Sequence, residues 1–127
     1  MNLFYNQMMI KGVRDRYGLS IPQAIAVIIA YDHGSVCALS VREAMGYDAK
    51  TLASSGAISV PVRLGVLKEI GKARPKLGSR LASVYALSNK SGFDFVASVA
   101  SFASENLFNT IAEYETANQE AIPNEAQ

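Results

Sequence analysis

The chain has 127 residues and a formal net charge of +1, and half of its residues are hydrophobic. This length and hydrophobic content are enough for one domain with a modest apolar core. Its one cysteine excludes an internal disulfide and favours a reducing compartment, and the longest apolar run, 24–31, is too short to cross a bilayer. No basic segment precedes an apolar block near the N-terminus, so we expect no signal peptide and a cytoplasmic protein.

Basic and acidic residues are segregated along the chain. Residues 41–90 carry nine bases and three acids, whereas residues 91–127 carry six acids and no base. Such segregation favours a polyanionic partner for the middle third. A solvated lysine-rich surface accounts for the charge equally well, so charge alone does not decide.

Apolar residues at helical spacing predict a first helix over residues 2–17 and a second over residues 21–32. Ser20 and Gln23 form a capping-box pattern at the start of the second helix. This helix is apolar on almost every side, which is typical of a helix at the centre of a fold.

A short extended piece over 35–39 is expected next, followed by a short helix that starts at a second capping box, Ser40 with Glu43, and stops at Gly46. Residues 47–56 have a turn-like composition, with at most one helical turn.

A longer helix is predicted from about Ser59 to Gly71, with Leu64, Leu67 and Ile70 packed inward. It is the candidate for a helix that presents polar groups to a partner.

Residues 72–75 and 80–87 are predicted to pair as two strands around the basic sequence PKLGSR. A capping pattern at Ser91 starts a last helical region that reaches about residue 117, with a break near Asn106. A disordered tail is expected over 118–127.

This order of elements resembles the winged helix-turn-helix domain and, within it, the MarR-type bacterial regulators. The resemblance covers residues 20–92 and rests on the segments IPQAIAVIIAYDHG, SVREAMG, RLGVLKEIG and VYALS. The third is similar to the end of the family's recognition helix and the fourth to the end of its wing. Two departures are visible. Lys72 and Ala73 replace the family's apolar pair after the helix glycine, and the turn before the Ser59–Gly71 helix is long.

The resemblance implies a mainly α fold with a small β-hairpin (α+β), a winged helix-turn-helix with flanking terminal helices. We divide the chain into an N-terminal helix, 1–19, the winged domain, 20–92, a C-terminal helical region, 93–117, and the tail, 118–127. The helices outside the winged domain are candidates for packing against a second copy, and the alternative is that they cover the domain in a monomer.

Double-stranded DNA offers a row of phosphates and a major groove that admits one helix, and a reading helix needs small polar and basic groups on its outer face. The Ser59–Gly71 helix, the residues just before it and the basic hairpin supply such groups. The candidate DNA-binding residues are Arg42, Lys50, Thr51, Ser54, Ser55, Ser59, Arg63, Lys68, Lys72, Arg74, Lys76 and Arg80. Each cation has a solvated surface position as its alternative. The interpretation requires Arg63 to share a face with Arg74 and Arg80.

Enzymatic chemistry is poorly supported. His33 stands at a helix end, Cys37 lies in an apolar segment, and one histidine with one cysteine cannot form a tetrahedral zinc site. We expect no catalytic residue, no metal and no cofactor.

The sequence therefore predicts a sequence-specific double-stranded DNA-binding transcriptional regulator, a repressor acting as a homodimer on a palindromic site. The alternative is a winged-helix protein-interaction module, such as a phage or plasmid accessory protein that binds a host protein. A small-molecule effector is left open.

Overall fold

The computed structural model describes residues 3–106, with side chains from residue 6 onward. Five helices come first: α1 (Leu3–Tyr17), α2 (Ile21–His33), α3 (Ala38–Met45), α4 (Ala49–Ser55) and α5 (Ser59–Arg63). Strands β1 (Leu67–Ala73) and β2 (Ala82–Leu87) follow as an antiparallel hairpin, and helix α6 runs from residue 90 to residue 106, the last one described. The predicted α+β class, mainly helical with one hairpin, is confirmed.

Helix α2 lies at the centre of this arrangement. It contacts α1, α3, α5 and β2, and it buries Ala24, Val27 and Ala30. The predicted capping arrangement is present at its start, where the side chain of Gln23 accepts a hydrogen bond from the backbone N–H of Ser20 at 3.0 Å. The sequence prediction of a central, apolar helix is therefore confirmed.

One core joins the helices to the hairpin. Its fully buried members come from five elements and include Val13, Val27, Val41, Leu67 and Val96. Burying one such side chain contributes about 1.5–3 kcal/mol, so the base of the hairpin is fixed to the helical part by ordinary core packing. Between residues 3 and 106, no helix is both long and apolar enough to span a membrane.

Helix α3 begins earlier than the sequence predicted. Its N-cap is Cys37, and Ser40 lies inside the first turn, so the predicted cap at Ser40 is wrong. The extended segment shrinks to Val36, which pairs with Tyr85 of β2 through backbone hydrogen bonds of 2.8 and 2.9 Å. Only Val36 takes part in this pairing, and helix α3 begins two residues later, at Ala38.

The largest correction concerns the helix predicted from Ser59 to Gly71. Helix α5 ends at Arg63, Gly65 adopts a positive φ of 78°, and the chain continues as β1. Leu67 is buried as expected, but Leu64 and Ile70 are 52% and 53% exposed, so their predicted inward packing is wrong. The apolar pair after a helix glycine is present after all, as the buried Val66 and Leu67 after Gly65.

The remaining boundaries shift by a few residues. The hairpin pairs Leu67 with Leu87 and Ala73 with Ala82, so its first strand starts five residues before the predicted 72–75. Helix α6 is capped by Asn89, whose side chain accepts from the backbone N–H of Gly92 at 2.8 Å, and not by a serine at 91. The predicted end of this helical region at 117 and the tail over 118–127 lie outside the described residues.

Candidate nucleic-acid interface

Helix α4 occupies a stretch that the sequence predicted as a turn, and it begins at a hydrogen-bonded cap. The carboxylate of Asp48 accepts from the backbone N–H of Thr51 at 2.7 Å. This backbone hydrogen bond, with the positive charge of Arg42 as a smaller contributor, lowers the pKa of Asp48 below its ordinary value. Three residues, 46–48, separate α3 from α4, so these two helices form the helix-turn-helix pair.

The two faces of α4 differ sharply. Leu52 is buried against the core, whereas Lys50, Thr51 and Ser54 are exposed. The sequence placed these three polar residues ahead of the presenting helix, and the structure places them on a helix of their own. Helix α4, not the Ser59–Gly71 segment, therefore presents small polar and basic groups directly after the turn.

Ser55 has a structural position at the end of α4. Its hydroxyl donates to the carbonyl of Leu52 at 2.6 Å and accepts from the backbone N–H of Ala57 at 3.2 Å. Its carbonyl accepts from the side-chain amide of Gln23 on α2 at 3.0 Å. Gly56 follows with a positive φ of 65°, which ends the helix.

Helix α5 is a single short turn that places two candidate residues at the surface. Ser59 and Arg63 are exposed, while Pro61 is buried and fixes the turn to the fold. Val62 and Leu64 are also partly exposed, at 36% and 52%. The exposed side of α5 is therefore mixed, with one cation between two apolar side chains.

A cleft of about 610 Å³ brings α4, α5 and β2 together. Its walls include Leu52 and Ala53 from α4, Arg63 from α5, and Ala82 and Ser83 from β2. Arg63 is thus on the same side of the molecule as the start of β2, which directly follows the basic loop. Arg74 and Arg80 do not line this cleft, so a face shared by Arg63 with those two cations stays a prediction.

Two of the predicted cations, Lys68 and Lys72, lie on β1 and not on a helix. Both are exposed, on a strand that is exposed from its second residue to its last. The assignment of Lys68 to the outer face of a reading helix is wrong because that helix ends at Arg63. Lys72 lies on a strand, as the sequence predicted. They belong to the hairpin.

The loop over residues 74–81, the hairpin tip, holds the other three cations. The guanidinium of Arg74 donates to the carbonyl of Ser79 at 2.7 Å. Lys76 forms an ion pair with Glu43 of α3, and Arg80 is exposed with no hydrogen bond or ion pair to the described residues. The three cations therefore differ: one supports the tip, one links it to α3, and one is open to a partner.

Arg42 takes an intermediate position on α3. It is half-buried, and its Nε is buried with no hydrogen-bond partner among the described residues.

His33 is exposed at the end of α2, and Cys37 is buried with its Sγ 3.2 Å from the hydroxyl of Ser40. Within residues 3–106, no three histidine, cysteine, aspartate or glutamate side chains are grouped as a metal site would need.

Sequence reasoning missed three features of this surface. The capping residue of α4, Asp48, could have been recognised from the sequence, since Thr51 follows it at the spacing of a capping hydrogen bond. The segment was nevertheless not predicted as a helix, because its one large apolar residue, Leu52, gives no helical periodicity. The pair between Glu43 and Lys76 joins residues too far apart in the chain for any local pattern to reveal. The full exposure of Leu77, at the centre of the basic loop, is also a property of the folded chain.

No protein-family model and no curated protein matches this sequence. The fold, however, is similar to several solved structures. RV1404 from Mycobacterium tuberculosis superposes with a TM-score of 0.57 at 17% identity, covering 84% of this chain and 69% of that one. The transcriptional regulator PA4135 gives 0.55 at 14% identity, with 94% and 85% covered.

Wild-type MarR from E. coli, in its apo form, gives a TM-score of 0.54 at 9% identity, covering 97% of this chain and 88% of that one. At such identities the likeness concerns the fold alone. The fold is a MarR-like winged helix, as the sequence resemblance predicted.

Proposed function

We propose that this protein is a DNA-binding transcriptional regulator that places α4 in the major groove and the hairpin on the neighbouring backbone. The observation that supports this most directly is the cleft in which α4, Arg63 and the start of β2 form adjoining walls. A helix with exposed polar groups and a basic hairpin on one side match the shape and charge of a duplex.

The polar face of α4 suits base recognition. Lys50, Thr51 and Ser54 are short or flexible donors on a helix whose opposite face is held by Leu52. Ser59 and Arg63 on α5 continue this surface towards the backbone phosphates. Phosphate contacts of this kind fix the register of a protein on DNA, and base contacts supply the sequence preference.

The acids of this region are largely engaged within the protein. Asp48 caps α4 and Glu43 pairs with Lys76, so two of the three acids in residues 41–90 have internal partners. Lys50 and Arg63 form no hydrogen bond or ion pair with residues 3–106. The remaining positive charge is therefore available to a polyanion.

The regulator would act as a homodimer. Helices α1 and α6 meet closely, since a Cβ on Gly12 would lie 2.7 Å from a methyl group of Val99. Beside this contact Phe102 is 58% exposed, next to a shallow apolar cleft that Met8 also lines. A twofold pairing through these helices would set two α4 helices about one DNA turn, roughly 34–36 Å, apart on a palindromic site. Occlusion of a promoter by this dimer would make it a repressor.

The experiment that tests DNA binding is a gel-shift titration over a salt series, with a duplex that the purified protein selects from a random pool. Log affinity should fall linearly with log salt, with a slope of about −0.9 for each phosphate contact. The triple variant R74A/K76A/R80A should bind more weakly and with a flatter slope. Lys90→Ala, at an exposed position outside the cleft lined by Met8 and Phe102, is the matched control and should behave as the wild type. Salt-insensitive binding, or binding to no duplex, would refute the proposal.

The dimer has its own test. Light scattering after gel filtration should give twice the chain mass for the wild type, and the variant Phe102→Glu should run as a monomer. That variant should also bind a palindromic site no better than a single half-site. A monomeric wild type that still protects a palindrome would contradict this part of the proposal.

A further inference from the structure

The hairpin tip is basic, and the apolar side chain of Leu77 at its centre has no part in binding phosphates. Leu77 is 107% exposed, more than any other large apolar side chain among the described residues, and it stands between Lys76 and Gly78 at the outermost turn. On an ordinary surface a single leucine needs no explanation. Here it is at the end of a basic projection and makes no packing contact of its own.

The turn that holds Leu77 is rigidly built. The backbone N–H of Ser79 donates to the carbonyl of Lys76 at 3.0 Å, and the Ser79 hydroxyl donates to the same carbonyl at 2.6 Å. The backbone N–H of Lys76 in turn donates to that hydroxyl at 3.1 Å, and Gly78 adopts a positive φ of 80°. The guanidinium of Arg74 closes the turn from outside through the Ser79 carbonyl.

The turn is also fixed relative to the helix-turn-helix pair. Lys76 is paired with Glu43 on α3, and Pro75 borders a small cleft with Cys37 and Ser40 at the start of α3. A preorganised group loses little conformational entropy when it binds. Leu77 is therefore presented at a set position with respect to α4, which follows α3 after three residues.

The length of chain between the cleft and the tip is comparable with the spacing of neighbouring grooves. Ala82 lines the cleft beside α4, and the chain between Ala82 and Leu77 can reach about 16 Å at roughly 3.3 Å per residue. Half a turn of B-DNA, which separates the major groove from the minor groove on one face, is about 17 Å. With α4 in the major groove, the tip would be directed towards the adjacent minor groove.

We propose that Leu77 is an apolar wedge that enters the minor groove and partly unstacks a base step, so that binding bends the duplex and favours sites with an easily opened step there. This rests on the proposed function. Apolar side chains inserted between base steps kink DNA, and pyrimidine–purine steps such as TA yield most easily. Arg80, open at the same tip, would contact a phosphate on the edge of that minor groove.

The test uses the full-length protein and its selected duplex, with the variants Leu77→Ala and Leu81→Ala. Leu81 is the matched control because it is also an exposed leucine of the tip, at 57%, but lies away from the outermost turn. Leu77→Ala should lose about tenfold in affinity, since roughly one apolar side chain's burial is removed, while the salt slope stays unchanged. The bend measured by circular permutation of the site should decrease, and 2-aminopurine fluorescence at the contacted step should fall.

The outcomes separate this inference from the function on which it rests. If the wild type binds and Leu77→Ala keeps its affinity and bend, or if Leu81→Ala loses as much, Leu77 is not a wedge and the DNA-binding function stands. If the wild type binds no duplex, both fail. Replacing a TA step under the tip by GC should weaken wild-type binding, and Leu77→Ala should be indifferent to that change.

Discussion

The two ends of the hairpin are held in place in different ways. At the base, Leu67 is 2% exposed and β2 is bonded to Val36, so position is fixed by burial. At the tip, almost every side chain is exposed, and position is fixed by hydrogen bonds around Ser79 and by the pair between Lys76 and Glu43. A surface that must meet a partner cannot bury its own side chains, and local hydrogen bonds let the tip keep one shape while its side chains stay available.

The strongest test of this contrast is to remove one buried and one exposed apolar side chain from β1, Leu67 at its base and Ile70 at its middle. Leu67→Ala should lower the free energy of unfolding by about 2–5 kcal/mol because it opens a cavity in the core. Ile70→Ala, at a position 53% exposed, should change it by no more than about 0.5 kcal/mol. Urea denaturation followed by circular dichroism measures the free energy of unfolding of both variants. Equal losses of stability would show that the hairpin is not held mainly by the buried residues at its base.

A smaller effect is expected when the turn at the tip is disturbed. In Gly78→Ala the alanine would be held at a positive φ, which costs about 1–2 kcal/mol, while its Cβ has no atom within 4 Å to clash with. The loss should fall on the local order of the tip, seen as faster amide exchange at Ser79, with little change in the global unfolding midpoint. A global loss as large as that of Leu67→Ala would contradict the separation of tip and base.

The link between the tip and α3 should matter less for stability than for binding. The two side chains of the Lys76–Glu43 pair are 63% and 53% exposed, so Glu43→Gln should change stability by about 0–1 kcal/mol. It should, however, free one cation for phosphate and steepen the salt slope of DNA binding by up to about 0.9. A flatter slope in this variant would mean that breaking the pair does not free Lys76 for a phosphate contact, and would contradict this prediction.

The smallest effect concerns the cap of α4, a second exposed feature that is fixed by a hydrogen bond. Because the folded-state pKa of Asp48 is lowered, its carboxylate stabilises the fold above its ordinary pKa, and this contribution is lost as the pH falls through the lowered value. Asp48→Asn keeps a capping acceptor but does not titrate there. The wild type should therefore lose stability relative to Asp48→Asn on acidification. Thermal melts of both proteins between neutral and strongly acidic pH measure this, and a difference in melting temperature that does not change with pH would contradict it.

The secondary structure could be predicted from the sequence where an apolar pattern repeats over several helical turns. Helices α1 and α2 have long apolar periodicity, and the basic loop stands between two strand-like segments, so the mainly helical class and the hairpin could be predicted. Over 47–71 the patterns conflicted. Leu64, Leu67 and Ile70 have helical spacing, yet only Leu67 is buried, because Gly65 ends α5 and β1 then pairs with β2.

Which residues share the candidate interface could be predicted only in part. Arg63 and the basic loop were expected on one side. The cleft joins Arg63 to the start of β2, which follows that loop, but the cations of the loop do not line it. The engagement of Ser55 by Gln23, and of Lys76 by Glu43, depends on contacts between distant parts of the chain. Such contacts leave no periodic trace in sequence, so a list of cations overstates how many are free.

The central claim is that α4 and the hairpin tip meet one duplex, and site-directed cleavage tests it most directly. An iron chelate is attached to Ser54→Cys on α4 or to Leu81→Cys at the tip, in a Cys37→Ser background. Asp32→Cys, at an exposed position of α2, is the control. Both probes should cut the same selected duplex, about half a helical turn apart, and the control should cut nowhere. Cuts from neither probe, or from the α2 control alone, would contradict the claim.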